Sequence, residues 1–75
     1  MPIVFTAHAK FQLRKRHITQ KLIKDIVNNS STIIPSYKNR RLRRRLISGK
    51  ILQVVTVTEG PRITVISGYF LRNKI

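Results

Sequence analysis

Residues 41–70 read RLRRRLISGKILQVVTVTEGPRITVISGYF, and the fold turns on them. RLRRRLI (41–47) alternates at the two-residue period of a strand. SGK (48–50) then supplies a tight turn. ILQVVTVTE (51–59) is β-branched and apolar on both faces, as a central strand would be. Gly60 and Pro61 turn the chain again, and RITVISGYF (62–70) closes the sheet. Alternation in the first of these strands predicts Arg41, Arg43 and Arg45 on the solvent side, with Leu42, Arg44 and Leu46 on the other. The solvent-side arginines would form a row about 13 Å long, able to follow a phosphate backbone.

Upstream, TIIPSY (32–37) reads as a weak strand that Pro35 confines to a sheet edge. Before it, the apolar spacing changes to that of helices. Thr6 is the expected N-cap of a helix over 7–16, preceded by a short strand at Ile3 to Phe5. A second helix starts after Thr19, with Ile18 and Ile23 as a hydrophobic staple and Leu22, Ile23, Ile26 and Val27 as its apolar stripe. NNSS, Asn28 to Ser31, ends it. The expected architecture is one α+β domain over residues 1–75. An N-terminal strand and two helices pack on a three- to four-stranded antiparallel sheet, the helices on one face.

Sixteen Lys and Arg stand against two acids, Asp25 and Glu59, for a net charge of +14. The basic stretch YKNRRLRRRLISGK (37–50) contains no acidic residue at all. Like charges packed this closely repel one another, so a counter-charge is expected from outside the chain. RNA satisfies that requirement, as does a strongly acidic protein. The apolar runs are too short to cross a bilayer, which takes about 20 residues. The N-terminus lacks the pattern of a signal peptide. Cysteine is absent, consistent with a reducing cytoplasm.

The same composition limits the chemistry. Two isolated carboxylates do not make the acidic cluster that holds hard cations for two-metal nuclease chemistry. They do not make a glycosidase pair either. His8 and His17 are too few for a zinc site, and there is no Gly-rich phosphate loop. No metal and no cofactor is expected. What remains are His, Tyr, Ser, Arg and Lys. On the first helix His8, Gln12 and Arg16 fall on one stripe at spacings of four, so a proton carrier and a phosphate binder share a face. His17, between the helices, reads as structural. On the last strand Ser67 and Tyr69 alternate onto the face of Val65. Tyr69 among cations is a candidate base, and Arg62 can bind phosphate. Tyr37 sits among basic residues, where it can stack on a base.

The segment TAHAKFQLRKRHI (6–18), the second helix and the final VISGY (65–69) together resemble a small family of uncharacterised proteins allied to the RelE-like toxins. His8 and Ala9, Arg16 and Ile18 match the helical part of that pattern, and Val65, Ile66, Ser67 and Tyr69 match the strand, with Ser67 standing for Thr. Gln12 departs from it, since the family has an arginine there: either Lys10 or Arg14 substitutes, or the site is weakened. The resemblance implies a RelE-type fold and metal-independent cleavage of messenger RNA, often on the ribosome, neutralised by an acidic antitoxin. It implies His8 or Tyr69 as base or acid, Arg16 and Ser67 in the catalytic set, and Arg14, Lys10, Arg41, Arg43, Arg45 and Arg62 on phosphates. The other reading of the charge is a non-catalytic nucleic-acid-binding protein, ribosome-associated or viral.

Overall fold

The computed structural model describes residues 2–30 and 32–71. Ser31, the last residue of the expected helix terminator, lies outside them. In chain order the elements are β1 (Ile3–Phe5), α1 (Ala7–Lys15), α2 (Gln20–Asn28), β2 (Thr32–Pro35), β3 (Arg40–Ile47), β4 (Lys50–Glu59) and β5 (Arg62–Phe70). The strands form one five-stranded sheet in the order β1-β5-β4-β3-β2. The α+β expectation is therefore met, but the three- to four-stranded antiparallel sheet is not. Strands β2 to β5 are antiparallel neighbours, whereas β1 joins as a fifth strand parallel to β5, with Phe5 opposite Val65. The helices form the crossover from β1 to the rest of the sheet, and a parallel pair requires a connection of that length.

Local chemistry fixes the helix ends. The Thr6 side chain accepts a hydrogen bond from the Ala9 amide at 3.0 Å, and Thr19 accepts from Leu22 at 3.2 Å. Each satisfies an amide that has no partner within its helix. α1 stops where His17 takes a left-handed backbone, φ 58°. The Ile18 amide then reaches back to the Leu13 carbonyl at 2.9 Å, and the His17 amide to that of Arg14 at 3.2 Å. This is a Schellman cap, and Ile18 and Leu13 are both buried in the core as its apolar contact. His17 is thus a chain-turning residue, as its position suggested. Ile18 and Ile23 are likewise both in the core.

β4 is the central strand. Leu52 to Thr56 are all buried, as its run of apolar residues on both faces requires. Leu52 and Val54 share the core with Ile63 and Val65 of β5, Phe5, and the helical Ala9, Leu13, Ile23, Ile26 and Val27. Both helices pack on this face of the sheet. The turn between β3 and β4 has two residues, Ser48 and Gly49, both at positive φ (49° and 82°). Such turns match the twist of a hairpin.

Gly68, opposite Val54, lies close against side chains of both helices. A Cβ there would meet Leu13 Cδ2 at 3.0 Å and Ile23 Cδ1 at 3.4 Å. Gly68→Ala needs only a small shift of the end of Leu13 and is expected to change stability by less than about 1 kcal/mol. Gly68→Val, with two further methyl groups against both helices, is expected to cost about 1–3 kcal/mol in urea unfolding. Equal midpoints for the two variants would contradict this packing.

Candidate nucleic-acid interface

The register of β3 on β4 pairs Arg41 with Thr56, Arg43 with Val54 and Arg45 with Leu52. Directly paired residues share a face, so these arginines lie on the helix side of the sheet, not in the expected solvent row. Arg43 is buried, at 6% exposure. Its Nε donates to Thr56 Oγ1 at 3.1 Å, and a terminal nitrogen donates to the Val27 carbonyl at 3.2 Å. Thr56 Oγ1 in turn donates to the Arg41 carbonyl at 3.2 Å. Burial first, and the neighbouring Arg41 charge second, push the Arg43 guanidinium below its usual range. The arrangement persists because α2 has no basic residue in its last turn. Arg43 supplies that cation from the strand, at the negative end of the helix dipole. Arg45 pairs with Asp25 on the same helix. Of the three arginines of the expected β3 row, two therefore hold α2 to the sheet, and Arg41 remains exposed.

The partners of Leu42, Arg44 and Leu46 are Val55, Gln53 and Ile51, on the face without helices. Leu46 is 66% exposed there, so these leucines are not the core residues that alternation suggested. The same face carries a polar chain across three strands. Arg44 Nε donates to Gln53 Oε1 at 2.7 Å, and Gln53 Nε2 donates to the Tyr69 hydroxyl at 2.8 Å. Guanidinium cannot accept, so the amide orientation is forced, and Tyr69 must take the Gln53 N–H on its oxygen. The phenolic proton is left to point elsewhere. Chemically, this is a positioned proton donor backed by a cation. Neither Arg44 nor Gln53 was singled out from sequence. The available signal was Gln53, the one amide inside the run 51–57.

Tyr69, opposite Gln53, does not share the face of Val65, whereas the Ser67 hydroxyl reaches the helix side. The register shifts between Val55 and Thr56, so that Val65 opposes Thr56 while Ser67 opposes Val55. This bulge separates them from the alternation assumed from sequence. Ser67 Oγ donates to Gln12 Oε1 of α1 at 2.6 Å, latching helix to strand. His8 is exposed in the first turn of α1, and Arg16 is its exposed C-cap. Among the described residues, neither side chain bonds to Ser67 or Tyr69. The expected catalytic set is thus brought together only in part, with Ser67 beside the His8–Gln12 stripe and Tyr69 on the outer face. Lys10 and Arg14 are exposed but lie about 200° around the helix from Gln12, so neither takes its place on that stripe. Arg62 is exposed and reaches Glu59 at 3.4 Å.

The chain belongs to the DUF4258 family. The model of that family, a domain of unknown function, matches residues 5–69, from the last residue of β1 to Tyr69. No curated protein and no solved structure matches the chain.

Two stability effects follow. Arg43→Ala leaves the Val27 carbonyl and the Thr56 hydroxyl without their donor, at an expected cost of about 1.5–3 kcal/mol in urea unfolding. Arg41→Ala should stay within about 0.5 kcal/mol of wild type. Similar losses for both would remove the distinction between a structural and an exposed arginine. The second effect concerns pH. Hydrogen bonds from Arg45 first, then Asn29, hold the Asp25 carboxyl below its usual range. Its contribution is therefore complete above about pH 4 and is lost as the pH falls through the lowered folded-state value. Asp25→Asn should lower the unfolding midpoint at pH 7, and by less at pH 2. A deficit of the same size at both would show that this ionisation is not coupled to folding.

Proposed function

We propose that the domain is the toxin of a toxin–antitoxin pair, a metal-independent endoribonuclease acting on messenger RNA and resembling the RelE-like toxins in fold. The observation that carries the reading is electrostatic. Both acids of the chain are already paired, Asp25 with Arg45 and Glu59 with Arg62, while the net charge stays at +14. Two side-chain carboxylates cannot balance sixteen cations, and a polyanion supplies the remaining counter-charge. RNA is the substrate in this reading, and an acidic antitoxin is the competing occupant.

The Arg44–Gln53–Tyr69 chain supports the chemistry. In RNA cleavage without metal, the ribose 2′-oxygen attacks the adjacent phosphorus as its proton is removed, and the bond to the 5′-oxygen breaks. That oxygen leaves as a hydroxyl once it receives a proton, and the other product is a 2′,3′-cyclic phosphate. Tyr69 would donate that proton. His8, on the helix packed against the same strand, would take the first one. Arg44 and exposed arginines such as Arg16 would stabilise charge on the phosphoryl oxygens.

A second reading, a non-catalytic RNA-binding protein, is favoured by one observation. The Ser67 hydroxyl is already engaged by Gln12. Incubation of RNA in EDTA with wild type, Tyr69→Phe and His8→Ala, with and without ribosomes, separates the two. The toxin reading expects cleavage by wild type and a fall of about 10²- to 10⁴-fold in each variant. Binding that weakens by about 10³- to 10⁵-fold between 50 and 200 mM salt, with the RNA left intact throughout, would replace the toxin reading with the second.

A further inference from the structure

At one end of the sheet the β2–β3 hairpin meets the last residues of β4. A cavity of about 280 Å³ opens there, lined by Pro35, Ser36, Asn39, Arg40, Arg41 and Thr58. This is at the lower end of small-molecule sites, a size suited to one sugar-phosphate unit. The lining holds two guanidinium groups, an amide and two hydroxyls, and no acid. Thr58 Oγ1 is buried and, among the described residues, has no hydrogen-bond partner, so one lining residue carries an unsatisfied hydroxyl.

The hairpin tip carries an aromatic ring, Tyr37, outside the cavity but beside Arg40, one of its lining residues. The turn is set by left-handed Lys38 and Asn39, φ 58° and 61°, and by the Ser36 amide bonding the Arg40 carbonyl at 2.8 Å. That geometry leaves the Tyr37 ring 69% exposed. Arg40 Cζ lies 5.7 Å from the ring centroid and Lys38 Nζ lies 6.0 Å from it. Arg40 therefore borders the cavity and the ring at once. A ring close to two cations, one of which also lines the pocket, suits a base and its adjoining phosphate on a single strand.

We propose that this hairpin end is a nucleotide-docking subsite for single-stranded RNA, taking one phosphate in the Arg40–Arg41–Thr58 cavity and the adjoining base on the Tyr37 ring. It rests on the RNA reading above and adds to it a second contact region, separate from the Tyr69 chain. An acidic peptide would satisfy the cations but would make no use of the ring's face.

The test is equilibrium binding of the full chain to a short single-stranded oligouridylate and, separately, to inorganic polyphosphate and polyglutamate. Tyr37→Ala is expected to weaken oligouridylate binding by about 5- to 150-fold, the range for loss of one stacked base. Tyr37→Phe should bind like wild type, and polyphosphate binding should not change in either variant. Arg41→Gln is expected to reduce the dependence of log affinity on log salt by about one unit. Circular dichroism reports whether the fold is retained, and the exposed tip makes Tyr37→Ala a mild change. If wild type binds oligouridylate and both Tyr37→Ala and Arg41→Gln bind it equally well, the subsite is wrong and the RNA reading stands. If wild type binds polyglutamate but not oligouridylate, the RNA reading itself fails, and the subsite with it.

Discussion

The guanidinium of Arg43 joins the two layers of this domain. It lies beneath the C-terminal turn of α2, where the helix leaves carbonyls without partners, and it donates to one of them from the sheet. A buried cation is costly unless it is fully hydrogen-bonded, and here a carbonyl, a hydroxyl and the helix dipole combine to hold it. The aliphatic stem of the arginine can pack against the core while the charged head reaches the helix end. This depends on register. With Arg43 opposite Val54, the arginine falls under α2; a slip of one residue would put Leu42 or Arg44 there and turn every side chain of β3 over.

The same register distributes the charge. Arg45 is brought to Asp25, so one of only two carboxylates is spent fastening α2. The other, Glu59, closes the β4–β5 turn with Arg62 and also accepts from Thr64 Oγ1 at 3.4 Å. These exposed pairs contribute little energy, but they engage both of the chain's acidic side chains. The cations of α1, the hairpin tip and the outer sheet face then repel one another unless an external anion intervenes. Any such anion stabilises the folded chain by mass action, so binding and stability are coupled here more tightly than in a neutral domain.

Much of the architecture was legible in the sequence, because it rests on local rules. Thr6 and Thr19 cap their helices, Ile18 and Ile23 are buried together, and 51–59 is a central strand. The parallel pairing of β1 was not legible, since three residues carry too little pattern to choose a neighbour. The faces of β3 were misread for a physical reason. Alternation shows that odd and even residues part, but not which set turns inward. Leucine inward is the ordinary choice, and it fails when an arginine has a helix end to cap. The bulge at Val55/Thr56 misled the reading of Tyr69 in a similar way, because an inserted residue resets alternation without marking the sequence.

For the candidate site, a count of arginines is a poor guide to function in this chain. Arg43 and Arg44 are adjacent in sequence, yet one is part of the core and the other supports the Tyr69 hydroxyl through Gln53 on the opposite face. Neutralising either removes one unit of charge. The first change acts on the helix–sheet junction and so on the whole fold. The second acts on a polar chain lying on a face with no helix above it. Under the proposed RNA reading, loss of affinity on substituting a β3 arginine would have two distinct physical origins, and stability measured alongside affinity would tell them apart. Strand alternation thus lets one short basic run serve both roles, with its period of two dividing the arginines between them.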